Sequence, residues 1–443
     1  MVNQGRAVVP DAAPVAPGQR NPTLDVLRGV AVLGILVINM VWIGAPGSSG
    51  WNPAALGLPS TAETTVWWIQ DLVFEGRMRG LFSLLFGAGL VLMSERAAAG
   101  FNGVWVRRCL WLIVFGAVHG FVLLWEGDIL LTYGVAGLLL LLARRWSTPL
   151  LLLAAAAVLA VTTALSIIDN VETRELAQAA EPLLERAGRG EALNESEQAT
   201  VDEWQEVLDA FRAPADDVQS QIDNRRSGYV AVFVDNAPAT LEHQTVDLVQ
   251  SNLWDALWLM LLGMVLARAG VLTGERSTAA YRRIAIAGYA IGMPPFIVAN
   301  ALWAQSGFSA HAHGTHLLYE AWYQPGRALV AVAHAAMIVL WVRSGAAAWL
   351  LRRLAAVGRM AFSNYIFQTV ASIVALFGFG FGLYGSLDRA GLMLLVLAIW
   401  SLQLIASPLW LQRYRFGPLE WLWRSLVRRE RQPMRYRTQD MPM

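Results

Sequence analysis

The stretch AVHGFVLLWEGDILLTYG, residues 117–134, places a histidine, two acids and a tyrosine in an otherwise apolar run. An imidazole changes charge near neutral pH, and a carboxylate on its second nitrogen would orient it as a general base. His119 with Asp128 or Glu126 could therefore take the proton of a substrate hydroxyl or amine, with Tyr133 five residues deeper beside the substrate. The same residues suit two other roles: a proton relay for transport, and a buried histidine that holds two helices together. The residues alone leave all three open.

Four further groups of polar residues interrupt apolar sequence. Asp25 and Arg28 are three apart, hence on one helix face. They either anchor that helix at the interface or leave Arg28 as a planar cation for a phosphate. Gly29 allows a ligand or a neighbouring helix to come close, and Asn39, eleven residues beyond Arg28, needs a polar partner in a low-dielectric setting. In FEGRMRGLFSLLFGAGL, 74–90, Glu75, Arg77 and Arg79 precede glycines at 80, 87 and 89, which suit tight helix packing. These two arginines fall on the outward side of the topology derived below, so they call for a partner such as Glu75 or an anionic substrate. In AVGRMAFSNYIFQT, 356–369, Arg359 could recognise phosphate or snorkel, and Asn364 and Gln368 form an i,i+4 pair. His311, His313 and His316 match neither HExxH nor a zinc-finger spacing, so a solvated loop and no metal are expected. His334 is a second candidate for an internal network.

These residues sit in a chain of 443 residues, 56% hydrophobic and only 15% charged. A soluble domain carries about 25% charge. The run 148–168 has no charge and meets the roughly 20-residue requirement for a helix across hydrocarbon. An all-α integral membrane protein is expected, with about ten spans at 24–44, 77–94, 105–125, 128–143, 148–168, 248–267, 283–303, 326–342, 357–380 and 388–411. Residues 62–75, with paired tryptophans and acids, read as an interfacial piece. Asp25 and Arg28 at the mouth of the first span favour a retained helix over a cleaved signal.

All 34 basic residues are arginine, and the net charge of +1 gives no reason to expect nucleic acid. The single Cys109 forms no intrachain disulfide. With ten spans, every arginine-bearing short loop falls on one side, which makes both termini cytoplasmic. The organisation expected is a flexible head at 1–20, five spans within 21–168 and an acidic outward insert at 169–247. Five more spans within 248–412, an interfacial helix at 413–430 and a flexible tail at 431–443 follow. The insert reads as a cap with short amphipathic helices and partial disorder.

The blocks LDVLRGVAVLGILVINM, LFSLLFGAGL, VHGFVLLWEGDILLTYG, VGRMAFSNYIFQT and GPLEWLWR, in that order, resemble those of the bacterial YeiB-like membrane proteins, defined by the domain DUF418. That family is similar to a wider group of transmembrane acyltransferases, including lysosomal heparan-α-glucosaminide N-acetyltransferase and the acyltransferase-3 proteins. The resemblance implies the transmembrane acyltransferase fold, the bacterial inner membrane, and acyl-coenzyme A (acetyl-coenzyme A) as cytoplasmic donor. It further implies a glycan or lipid acceptor at the opposite face. Arg28 and Gly29 match the arginine-glycine block of the first helix. Where the acyltransferase-3 branch has a histidine near the far end of that helix, this chain has Asn39, which moves the base to His119. On this reading Arg28 and Arg359 bind donor phosphates, Asn39 holds the oxyanion or thioester carbonyl, and the donor threads a polar passage between Arg28 and His119. Membrane lipids are the expected surroundings, and a homodimer is compatible with the sequence. The alternative is a transporter of a small solute, proton-coupled through the same residues.

Overall fold

The first span begins where local chemistry dictates. The Asn21 side chain accepts from the Thr23 amide, Pro22 stands at the first helical position, and 23 mostly apolar residues follow. The computed structural model describes residues 21–96, 100–314 and 317–436, without the side chains of Arg96, His313 and Gly314. The head at 1–20, His316 and residues 437–443 of the expected tail lie outside the described residues.

The helices are α1 (Pro22–Gly44), α2 (Thr61–Ile69), α3 (Arg77–Arg96), α4 (Phe101–Phe121), α5 (Leu130–Ala143) and α6 (Thr148–Gly188). Next come α7 (Glu195–Phe211), α8 (Ala215–Arg225), α9 (Tyr229–Asp247), α10 (Leu253–Arg268), α11 (Thr278–Gly292) and α12 (Pro294–Gln305). The last are α13 (Ala310–Gly314), α14 (Leu317–Ser344), α15 (Ala348–Arg359), α16 (Ala361–Leu376), α17 (Arg389–Arg413) and α18 (Pro418–Arg428). Among the described residues, eight helical stretches are long and apolar enough to cross a membrane, and α5 and α16 are shorter apolar helices. Apolar side chains on α6, α11 and α17, such as Leu153, Ile286 and Leu394, face outward where lipid would lie. The chain is an all-α, multi-pass membrane protein.

Several boundaries differ from expectation. The piece at 62–75 is not separate: α2 runs through a π-helical turn, Gln70–Phe74, toward α3, so Thr61–Glu95 is one interrupted span. The 283–303 span breaks at Met293, where Pro294 and Pro295 supply no amide hydrogen to α11. The 357–380 span starts in two pieces, α15 and α16, separated at Met360. The insert is helical: α6 continues twenty residues past 168, and α9 runs through a second π turn, Leu248–Asn252, into α10.

Two glycine crossings bring backbones into contact. A Cβ on Gly29 would lie 2.1 Å from the Leu354 carbonyl oxygen, and one on Gly358 1.9 Å from that of Asp25. The α1–α15 crossing therefore tolerates no side chain at either position. At the α3–α10 crossing, Gly87 and Gly263 are confined in the same way by Met260 and Leu84. Gly87 thus serves packing, as the sequence suggested.

The arginine-bearing turns gather at one end. Arg268 donates to the carbonyls of Arg144 and Trp146, Arg343 to those of Gly274 and Arg276, and Asn21 reaches Thr273 O. At this end α18 packs on α4, with Trp423 donating to Arg108 O at 3.2 Å. Because α16 has no side-chain cap of its own, Glu420 of α18 supplies one. Its Oε1 accepts from the amides of Phe362 and Ser363, and its Oε2 from the Ser363 hydroxyl at 2.5 Å. Burial holds the Glu420 carboxyl above its ordinary range, against the opposing pull of these hydrogen bonds.

Candidate functional site

At the opposite end from the arginine turns, a cavity of about 280 Å³ opens among the ends of α1, α2, α12, α14 and α17. Its position follows from two helix interruptions and from α14, which passes beside them. The π turn after α2 carries Asp71 and ends at Glu75 and Gly76, which has φ +66°. A Cβ on Gly76 would lie 2.8 Å from the Tyr323 hydroxyl, so only glycine closes this corner. The α11–α12 break aims Asn300 at the same space, and α14, continuous through Pro325, presents Tyr319, Glu320 and Tyr323 to it. Irregular helix at membrane depth is tolerated where it lines a cavity or is buried in protein.

The polar groups of the cavity are partly engaged. Asp71 accepts from Tyr319 OH at 3.0 Å and from Asn300 Nδ2 at 2.6 Å. Glu75 accepts from Tyr323 OH at 3.1 Å. Arg389 donates to Gln70 Oε1 at 2.5 Å and to the carbonyls of Ser49 and Gly50. Glu320 also lines the space. Trp51 stacks on Trp303 with centroids 6.4 Å apart, and Trp67 meets Trp303 edge-on at 5.6 Å. From the insert, Phe211 at the end of α7 packs on Trp51 at 4.5 Å and ties it to the mouth.

Behind the cavity lies a layer of buried charge. Asp255 of α10 pairs with the fully buried Arg327 of α14, accepts from Gln324 at 3.1 Å and lies 3.6 Å from Arg79. Arg77, also fully buried, donates to Glu75 O at 2.6 Å and lies 4.0 Å over the Phe296 ring. Tyr133 OH sits 2.6 Å from Ser83 Oγ and donates to Arg79 O at 3.3 Å. Asp255 and the two arginines beside it persist at this depth because they compensate one another, while Arg77 rests on a carbonyl and an aromatic face.

His119 lies elsewhere, fully buried between α4, α5 and α16. Its Nδ1 is 2.7 Å from Asp128 Oδ1 and its Nε2 2.9 Å from Thr369 Oγ1. Beside a carboxylate, Nδ1 carries the hydrogen and Nε2 accepts from the threonine. The other Asp128 oxygen accepts from the Leu131 amide at 2.9 Å, so one carboxylate fixes the imidazole and caps α5. α4 ends at Phe121, two residues past His119 and earlier than the expected 125.

The remaining expected residues divide between two regions. Arg28 pairs with Asp25 at 3.2 Å, and Arg359 donates to Tyr436 OH at 3.5 Å. Arg28 and Arg359 adjoin Gly29 and Gly358, so they flank the same α1–α15 crossing. Arg108 and Arg424 join Arg28 there, with Arg108 3.8 Å over the Trp423 ring. Nε of Arg108 and of Arg359 is buried with no hydrogen-bond partner among the described residues. From this cluster to His119 the space between α1, α4, α16 and α18 is packed with Ile35, Leu112, Phe115, Phe362 and Tyr365. The expected polar passage between Arg28 and His119 is therefore an apolar packed seam.

Asn364 and Gln368 join helices: Asn364 donates to Val357 O and Ser407 Oγ, and Gln368 to Val32 O and Gln403 Oε1. Asn39 and Glu126 are half-buried and line no part of the cavity. His334 bridges Tyr289 OH and Val73 O. His311 lies edge-on to Trp204 and 3.8 Å from Glu181. Of the expected residues only Glu75 lines the cavity, while Arg77, Arg79 and Tyr133 lie just beneath. Sequence reading missed Asp71, Asn300, Tyr319, Glu320, Tyr323, Arg389, Asp255 and Arg327. Asp255 and Arg327 carried a readable signal, since each is a charge within an expected apolar span.

Helices, interruptions and buried charge together define a polytopic membrane protein. Residues 266–430 match the family described as "Protein of unknown function (DUF418)". The chain is 30% identical to the uncharacterized protein YeiB of Escherichia coli K12, over 94% of this chain and 98% of that one. It is 28% identical to the uncharacterized protein YxaH of Bacillus subtilis 168, over 96% and 98% of the two chains. An uncharacterized 39.9 kDa protein of Bacillus acidopullulyticus is 24% identical over 95% and 97%. The chain belongs to the YeiB-like DUF418 family.

Proposed function

We propose that the protein is a transmembrane acyltransferase of the bacterial cytoplasmic membrane. It takes an acyl group from cytoplasmic acyl-coenzyme A and passes it to a membrane-embedded or extracytoplasmic acceptor. The observation that carries the reading is the seam between α1, α4, α16 and α18. Arginines stand at one end, the Asp128–His119–Thr369 chain at the other, and apolar side chains between. Arg108 and His119 are eleven residues apart on α4, about 16 Å, and Arg359 and Thr369 have nearly the same separation in sequence. A donor with phosphates at one end and a thioester on a long arm matches that spacing.

The seam is packed in this structure, so it would have to part to admit the arm of such a donor. Arg28, Arg108, Arg359 and Arg424 would hold its phosphates, with the buried Nε–H groups of Arg108 and Arg359, unpartnered among the described residues, available to them. Coenzyme A would supply an activated acyl group as a thioester, and the apolar seam would exclude water from it. His119 would take the proton of the acceptor hydroxyl or amine as its oxygen or nitrogen bonds the acyl carbon, and would return that proton to the departing thiolate. Asp128 would hold the imidazole in register. Thr369, which now occupies Nε2, would have to yield that position to the acceptor. Placing the arginine end in the cytoplasm follows from the positive-inside rule.

One observation favours a second reading, transport of a small solute. Two interrupted helical stretches meet at a cavity on the other face, and discontinuous helices commonly form transporter sites. The deciding experiment incubates purified protein with labelled acetyl-coenzyme A and envelope extract. Label entering lipid or glycan supports acyl transfer. No transfer across several acyl lengths, together with solute uptake into proteoliposomes, supports transport.

A further inference from the structure

We propose that the aromatic-walled cavity is a binding site for a small organic cation, a primary or quaternary ammonium. Its lining carries three carboxylates, Asp71, Glu75 and Glu320, against one guanidinium, Arg389. Among the described residues, none of the three forms an ion pair. Asp71 and Glu75 are held by neutral donors, Asn300, Tyr319 and Tyr323. Glu320 has no hydrogen-bond partner among the described residues. Of the nearby arginines, Arg389 donates to Gln70, Ser49 and Gly50 and Arg77 to the Glu75 carbonyl, while Arg79, whose charge acts on Glu75 from beneath, lies 3.6 Å from Asp255. Carboxylates held this way, partly out of water, leave the place of a directly contacting cation to a ligand.

The walls make the same choice. Trp51, Trp67 and Trp303 form a mutually packed cluster, and Tyr319 stacks on Tyr323 with centroids 5.8 Å apart. Aromatic faces around a cavity attract an ammonium group and accommodate its alkyl substituents. A neutral sugar could stack there but would leave the carboxylates uncompensated, and an anion would be repelled. The site is independent of the acyl-transfer reading, so failure of the label-transfer assay does not touch it.

The test is calorimetric titration of the purified full chain in detergent with choline, tetramethylammonium, methylamine, glucose and acetate. At least one of the three cations is expected to bind, and glucose and acetate are not. Glu320→Gln, which breaks no hydrogen bond, and Trp303→Leu should each weaken cation binding about tenfold or more. Glu191→Gln on the exposed insert should leave it unchanged. Size-exclusion profiles identify any variant that fails to fold, and Asp71→Asn then replaces it. Absence of binding by all three cations, equal binding of glucose, or unchanged affinity in Glu320→Gln would overturn the proposal.

Discussion

The two polar regions of this protein solve opposite problems. Around His119 every visible bonding position of the imidazole is occupied, by Asp128 and Thr369, and no surface reaches it. Around the cavity, Asp71, Glu75 and Glu320 line open space and make no direct ion pair among the described residues. A satisfied buried network specifies packing and gains its chemistry only when something opens it. An unsatisfied, accessible one is already poised to bind. The difference teaches that burial of an ionisable group and readiness for a ligand are separate properties, and that helix interruptions mark the second.

The comparison breaks most visibly at the layer joining the cavity to the core. Asp255→Ala leaves Arg327 buried without its carboxylate and should cost about 3–5 kcal/mol. The expected readout is a large fall in melting temperature in detergent or loss of folded protein. His119→Ala leaves Asp128 and Thr369 facing a void and should cost about 1–3 kcal/mol, while cation binding in the cavity stays unchanged. A thermal melt and a choline titration on one sample check both.

Glu420 sharpens the account of the arginine end. Its carboxyl lies above the ordinary range in the folded protein, so the folded state holds its proton at pH values where the unfolded chain has released it. Stability should therefore fall as pH rises from the unfolded value, about 4.3, through the raised folded one. Glu420→Gln should flatten that dependence, as pH-stepped thermal melts would show. The smallest stability effect is expected for Glu320→Gln, within about 0.5 kcal/mol, despite its large expected effect on binding.

Much of the fold was legible because apolar length is local information. α1, α4, α5, α10 and α17 lie within a few residues of their expected bounds. The interruptions were harder. The π turn at Gln70–Phe74 keeps a helical pattern of residues, so nothing in the sequence separates it from a helix end. The insert read as a cap of short amphipathic helices with partial disorder because 169–188 is polar, yet its alanine, leucine and glutamate favour a longer helix in water. Of the site, Asp128 holding His119 was readable from spacing, and Glu75 from arginines that defied topology. Arg108 was absorbed into the charge count of a loop, which hid its place beside Arg28. Asn300 and Tyr319 had no local mark: they become polar partners only when α12 and α14 meet the π turn.

The central claim is that the seam from the arginine cluster to His119 carries acyl transfer. Transfer of label from acetyl-coenzyme A into envelope lipid or glycan should be compared for the wild type, Arg108→Gln and Thr369→Val. Label should appear with the wild type, need far more donor with Arg108→Gln, and change in rate with Thr369→Val at unaltered donor affinity. Folded protein that transfers no label at any acyl length, or variants indistinguishable from wild type, would contradict it.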